Sequence, residues 1–173
     1  DHVGCIYSLR SLAQIYDELG HYQEAIKYCR DAKNMCKIVI GENHPEYARC
    51  LSALSGIYTS CGNFERAIDN EKEALNIISV YLGKKHPEYA ISLDNLATLY
   101  YYLKMYDMSR FYREQAISII ESVYGSNHPT YAISLGNYAE LMACTGNIEE
   151  AISYREKAMS INRQYYGEQS IKY

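Results

Sequence analysis

Three histidines invite a chemical reading because they recur in one setting. They stand in His44-Pro45-Glu46-Tyr47-Ala48, His86-Pro87-Glu88-Tyr89-Ala90 and His128-Pro129-Thr130-Tyr131-Ala132. Imidazoles can hold a metal or exchange a proton near neutral pH. Their spacing speaks against both. The interval is 42 residues each time, and a period of that length marks stacked repeats. At roughly 10 Å per helix layer, successive histidines fall about 20 Å apart, too far to share a metal or a proton. His2 and His21 are isolated, and no Gly-rich phosphate loop, G-x-S-x-G or H-E-x-x-H occurs. We therefore expect no enzyme, no metal site and no cofactor.

The repeats that carry the histidines run over 2–43, 44–85, 86–127 and 128–169, and residues 170–173 open a fifth register. Tyr173 falls on the column of Tyr47, Tyr89 and Tyr131. A natural array ends in a polar capping repeat, and the absence of one leads us to expect a fragment of a longer protein. Each repeat reads as two helices. In the third, Pro87 opens the first helix, which is predicted to run to about Leu103 with Leu93, Leu96, Ala97 and Tyr100 on one face. Pro at the first helical position explains the recurring His-Pro without chemistry, His86 being the flanking residue. The turn falls near Lys104, where the sister repeats have Gly20, Gly62 and Gly146. Gly there fits a left-handed helix end, so Lys104 is expected to carry strain if its φ is positive. A second helix is predicted over Tyr106–Val123, ending at Gly125. Its small residues Ser109 and Ala116 match Ala25 and Ala32, Ala67 and Ala74, and Ala151 and Ala158. Small side chains at helix crossings let backbones approach closely.

Composition narrows the partners. A net charge of −4 and no run of Lys and Arg exclude nucleic acid as the main partner. No apolar segment is long enough to span a bilayer, so no membrane insertion is expected. The six cysteines form no CxxC and no regular framework, as for reduced, buried thiols in a cytoplasmic protein. Twenty tyrosines, no Trp and two Phe suit thin repeats, where an aromatic needs a polar tip that can reach water or a partner.

Leu9, Leu12, Ala13, Tyr16, Gly20, Tyr22, Ala25 and Ala32 resemble the tetratricopeptide repeat pattern. So do Leu51, Leu54, Ser55, Tyr58, Gly62, Phe64, Ala67 and Ala74, and more loosely Leu135, Tyr138, Ala139, Met142, Gly146, Ile148, Ala151 and Ala158. The period exceeds the usual 34 or so by about eight residues. With Gly-x-x-His-Pro, that extension resembles the kinesin light chain type of repeat. The resemblance implies an all-α fold, a right-handed α-solenoid of stacked antiparallel helix pairs. It implies an interaction scaffold whose concave groove takes a protein or peptide ligand. It further implies kinesin heavy chain or cargo adaptors as partners of the full-length protein. The alternative is a structural segment of a larger signalling or enzymatic protein, with no ligand of its own.

On the side of the first helices away from the core lie Ile91, Asn95, Thr98 and Tyr102 in the third repeat and Ile133, Asn137 and Glu140 in the fourth. Arg49 and Ser52 lie on it in the second. Asn95 and Asn137 share one column, and amides there can hold the backbone of an extended peptide. The kinesin light chain pattern Leu-Asn-Asn-Leu-Ala has Asn at this column, where Ser11 and Ala53 depart from it. A clamp for a C-terminal carboxylate would need a basic residue one turn ahead of Asn, and Ile91 and Ile133 hold those places. Together with Tyr101 and Tyr102, they predict a ligand with aliphatic or aromatic anchors.

Overall fold

The computed structural model describes residues 2–167. Among them are eight helices: α1 (His2–Glu18), α2 (Tyr22–Val39), α3 (Pro45–Ser60), α4 (Phe64–Tyr81), α5 (Pro87–Tyr102), α6 (Tyr106–Tyr124), α7 (Pro129–Cys144) and α8 (Ile148–Tyr166). The described residues contain no strand, in keeping with the expected all-α class. Each 42-residue register holds one helix pair, and the expected ends in the third are met to within one residue. The start of a fifth register at 170–173 lies outside the described residues. The chain divides at Lys84–Lys85 into two compact units: unit 1 with α1–α4 and unit 2 with α5–α8.

Small residues set how closely the helices of each pair approach. Ala25, Ala32, Ala67, Ala74 and Ser109 are fully buried, and Ala116, Ala151 and Ala158 nearly so. Larger residues fill the space on either side. Leu51 and Leu54 are buried in unit 1; Leu93, Leu96, Leu135 and Leu141 in unit 2. Tyrosines bind the pairs internally by stacking. Tyr16 lies on Tyr28 at 5.3 Å between ring centres, and Tyr100 on Tyr112 at 5.5 Å. Their polar tips find partners where buried: Arg30 donates to Tyr58 Oη at 2.8 Å, and Tyr138 Oη donates to Glu114 at 2.7 Å. Burial and Glu114 together hold the Tyr138 phenol far above the ordinary tyrosine range.

The histidines do more than flank. Each has extended backbone, and its Nδ1 accepts the backbone N–H two residues on, from Glu46 at 3.1 Å, Glu88 at 3.2 Å and Thr130 at 3.2 Å. They are N-caps. Proline supplies the pre-set φ and imidazole satisfies an N–H the helix cannot. Sequence reasoning placed the histidines as capping residues flanking the helix start; the structure adds that Nδ1 is the acceptor, although His is not among the usual capping residues. At the turns, Gly20, Gly62 and Gly146 have φ of 76°, 76° and 84°, and Lys104 adopts 59°. The one non-Gly residue described with positive φ is thus the one the repeat alignment singled out.

Candidate functional site

In unit 2 the first helices α5 and α7 present adjoining stripes. Ile91, Asn95, Thr98 and Tyr102 follow one another at helical spacing on α5, as do Ile133, Asn137 and Glu140 on α7. The apolar members stand out from the protein: Ile91 is 55% exposed, Ile133 63% and Tyr102 53%. Isoleucines this exposed, on stripes otherwise polar, are not required by the core.

The polar members are drawn together by Arg113, which projects from α6 and is only 4% exposed. Its Nε lies 3.5 Å from Asp94 Oδ1, and its NH2 donates to Thr98 Oγ1 at 3.1 Å. Its NH1 donates to the carbonyl of Asn137 on α7. Asn137 also donates its side-chain amide to Asp94 Oδ2 at 3.0 Å. Asp94, Thr98 and Asn137 thus belong to one network joining α5, α6 and α7. Toward the C-terminal ends of α5 and α7, Tyr101 Oη donates to Glu140 at 3.4 Å and lies 2.9 Å from Cys144 Sγ. The contact with Cys144, then burial and the charge of Glu140, pushes the phenol up to about 12.

Unit 1 arranges its charges differently. Glu46, in the first turn of α3, keeps a nearly buried side chain. It accepts from Arg10 of α1 at 3.1 Å and from Arg49, one turn along α3. Ser52 donates to the fully buried Glu71 of α4 at 3.1 Å. Arg49 and Ser52, expected to face a ligand, therefore also tie the unit together. Between α1 and α3 lies a pocket of about 290 Å³, bounded by Arg10, Gln14 and Asp17 on one side and Ala53, Gly56 and Ile57 on the other. It sits on the same columns as the polar contacts of unit 2.

Sequence reasoning named the face but missed Arg113, Glu46 and Glu71. For Glu71 and Arg113 the available signal was one column that reads Cys29, Glu71, Arg113 and Arg155, charged in three of its four places. The cysteines also divide. Cys29, Cys36 and Cys50 are buried, as expected, while Cys5, Cys61 and Cys144 are exposed, so the expectation of buried thiols holds for half of the six. Burial pushes Cys29 up to about 12 and Cys50 up to about 11, and raises Cys36, so these three are held as thiols. Among the described residues, no group of three His, Cys, Asp or Glu side chains is placed to hold a metal. None of the described helices is long and apolar enough to cross a membrane.

The helix pairs, their small-residue crossings and their positive-φ turns define a helical repeat protein. The tetratricopeptide repeat model matches residues 2–78, 54–119 and 103–164, so the chain belongs to that family. Its fold is similar to that of the putative kinesin light chain TPR-like repeats of Podosopora anserina, with a TM-score of 0.80 and 22% identity over 95% of this chain and 78% of that one. It is also similar to BtubC (BKLC) from P. vanneervenii, with a TM-score of 0.83 and 20% identity over 100% of this chain and 69% of that one. A third similar fold is aspartyl phosphate phosphatase F from Bacillus subtilis, with a TM-score of 0.81 and 18% identity over 98% of this chain and 43% of that one. No curated protein matches the chain.

Proposed function

We propose that this chain is a peptide-binding scaffold whose ligand, an extended segment of another protein, lies along the first helices. One observation carries this reading: Ile91, Tyr102 and Ile133 are exposed on polar stripes whose hydrogen-bonding groups are fixed from beneath. Apolar anchors beside preorganised polar groups are what a peptide needs to bind without ordering the receptor first. Asn95 and Asn137 offer amides to the ligand backbone, Thr98 and Glu140 follow three residues further along the same helices, and Arg49 and Ser52 stand on the first helix α3 of unit 1. The similarity to kinesin light chain repeats supports a cytoplasmic adaptor role, with kinesin heavy chain or a cargo adaptor as the partner of the longer protein.

The test is a peptide-array screen followed by titration of the best peptides. Ile91→Asp with Ile133→Asp should weaken binding about tenfold or more, equivalent to 1.4 kcal/mol. Both sites are exposed, so unfolding should shift by no more than about 0.5 kcal/mol for each. Unaltered affinity would remove the site from these helices.

A further inference from the structure

We propose that the outward face of α8 is a docking surface for the outward face of α1 of a second copy of this chain, so that copies join head to tail. The contact holds whether or not a peptide lies along the first helices.

The pattern for the contact is already present inside each unit, where one second helix is covered by the next first helix. In unit 2, α7 brings Tyr138 and Leu141 onto Tyr106 and Ile117 of α6, which are half-buried there. One repeat further on, α8 sets Ile148 and Met159 on the columns of Tyr106 and Ile117. Both are more than half exposed. Arg155 is exposed as well, although Cys29 and Arg113, which share its column beneath α3 and α7, are buried. With Ala143 and Ile152, these residues bound an open, largely apolar hollow of about 380 Å³.

α1 carries the matching half. Leu12 and Ile15 stand on the columns of Tyr138 and Leu141. Ile15 is 53% exposed, whereas Ile57 and Leu141, each seated on a second helix, are buried. The charges of α1 are engaged elsewhere: Arg10 with Glu46, Asp17 with Ser60 and Glu18 with Gln14. A polar contact sets the register. At the Arg155 column, each covered residue reaches a carbonyl of the next first helix. Cys29 Sγ lies 3.5 Å from the carbonyl oxygen of Cys50, and Arg113 donates to the carbonyl of Asn137. The matching carbonyls on α1 are those of Ser8 and Ser11, and Arg155 is the donor that meets them. Glu156, on the column of Glu114, faces Leu12 in place of a tyrosine and stays in water at the rim. Covering the exposed Ile15, Ile148 and Met159 drives the association. Because the two faces differ, the contact is heterologous, and each added copy presents a new α8 face.

Sedimentation velocity of the chain from micromolar to millimolar concentration is the test. The mass should rise beyond the dimer as concentration rises. Ile15→Asp and Met159→Asp each spoil one face, and each should hold the protein monomeric. Both positions are exposed, so each variant should melt as the parent does. Mixed in equal amounts, the two variants keep one intact pair of faces and should form a dimer that grows no further. A parent that stays monomeric, a parent dimer that does not grow, or a mixture that stays monomeric would each overturn the head-to-tail contact. So would array peptides that bind a monomeric parent and are lost in Met159→Asp, since they would give the α8 face to another protein.

Discussion

In unit 1 a buried acid gathers two arginines; in unit 2 a buried arginine gathers three oxygens. Glu46 stands on a first helix and is reached by Arg10 and Arg49 from first helices. Arg113 stands on a second helix and reaches forward to Asp94, Thr98 and the Asn137 carbonyl on both first helices of its unit. The consequence is visible at the surface. In unit 2 the gap between first helices is bridged by Asn137–Asp94 and Tyr101–Glu140. In unit 1 the gap is spanned toward its ends by Arg10–Glu46 and Asp17–Ser60 and, with Ala53 and Gly56 at the columns between, stays open as a pocket in the middle. The fold sets which face the first helices present; the buried charges beneath it, Glu46 and Glu71 in unit 1 and Arg113 in unit 2, set what polar contacts that face makes.

The largest effect should come from breaking the unit 2 network. Arg113→Met leaves Asp94 and the Asn137 carbonyl without their cation and should cost about 3 kcal/mol in urea unfolding, near the lower end for breaking a buried pair because Asp94 is partly hydrated. Adding Asp94→Leu to that variant should recover part of the loss, as two apolar groups are better matched than one orphaned acid. If Arg113→Met were neutral, the network would be an ornament of unit 2 and the contrast with Glu46 would lose its energetic content.

Next in size is an alkaline response from the buried thiols of unit 1. Its buried thiols, Cys29, Cys36 and Cys50, correspond to Arg113, Ile120 and Ser134 in unit 2, so the second unit lacks them. In the folded protein Cys29 is pushed up to about 12 and Cys50 to about 11, above the ordinary thiol value of 9.0. Below pH 9 both states keep the proton and the contribution is fully present. Above pH 9 the unfolded chain releases it first, so stability falls as pH rises toward the folded values, by up to about 1.4 kcal/mol per pH unit for each thiol. Thermal unfolding between pH 8 and 11, repeated with Cys29→Ala and Cys50→Ala, should show a steep fall in the parent and a shallower one in the variants. Equal slopes would mean that the buried thiols do not set the alkaline limit.

The repeat period made much of this legible. It placed the helix pairs, the small-residue crossings and the turn at Lys104, because each depends on residue types that recur in register. It also placed Ile91, Asn95, Ile133 and Asn137 on one face, since helical geometry fixes direction. It did not show which polar residues on that face were already engaged. Asn137 is bonded to Asp94 because Arg113 holds Asp94 from another helix, and that three-way meeting depends on one column where Cys29, Glu71 and Arg113 differ. A repeating pattern predicts what repeats; the site is made where the repeats disagree. The capping position of His44, His86 and His128 was legible in the recurring His-Pro. Their recurrence was plain, but the hydrogen bond that Nδ1 accepts from the backbone N–H depends on the extended φ and ψ of the histidine itself.

The smallest effect tests the turns between the helices of a pair. Unit 1 makes both of its turns with glycine, Gly20 and Gly62, whereas unit 2 uses Lys104 and Gly146. The backbone does the same work at each: Asn63 N–H reaches the Tyr58 carbonyl at 2.8 Å, and Met105 N–H reaches the Tyr100 carbonyl at 2.9 Å. Lys104 holds φ at 59° against the clash of its own Cβ, worth about 1–2 kcal/mol. Glycine removes that clash but gives the unfolded chain more freedom, which takes back about 0.5–1 kcal/mol. Lys104→Gly should therefore stabilise the protein by about 0.5–1 kcal/mol in chemical denaturation, with the m-value unchanged. The converse change, Gly62→Lys, should destabilise by a similar amount, which would make the two turns interchangeable parts. If Lys104→Gly were instead destabilising, the lysine would be doing something glycine cannot. The difference between the units would then extend from their buried charges to their turns.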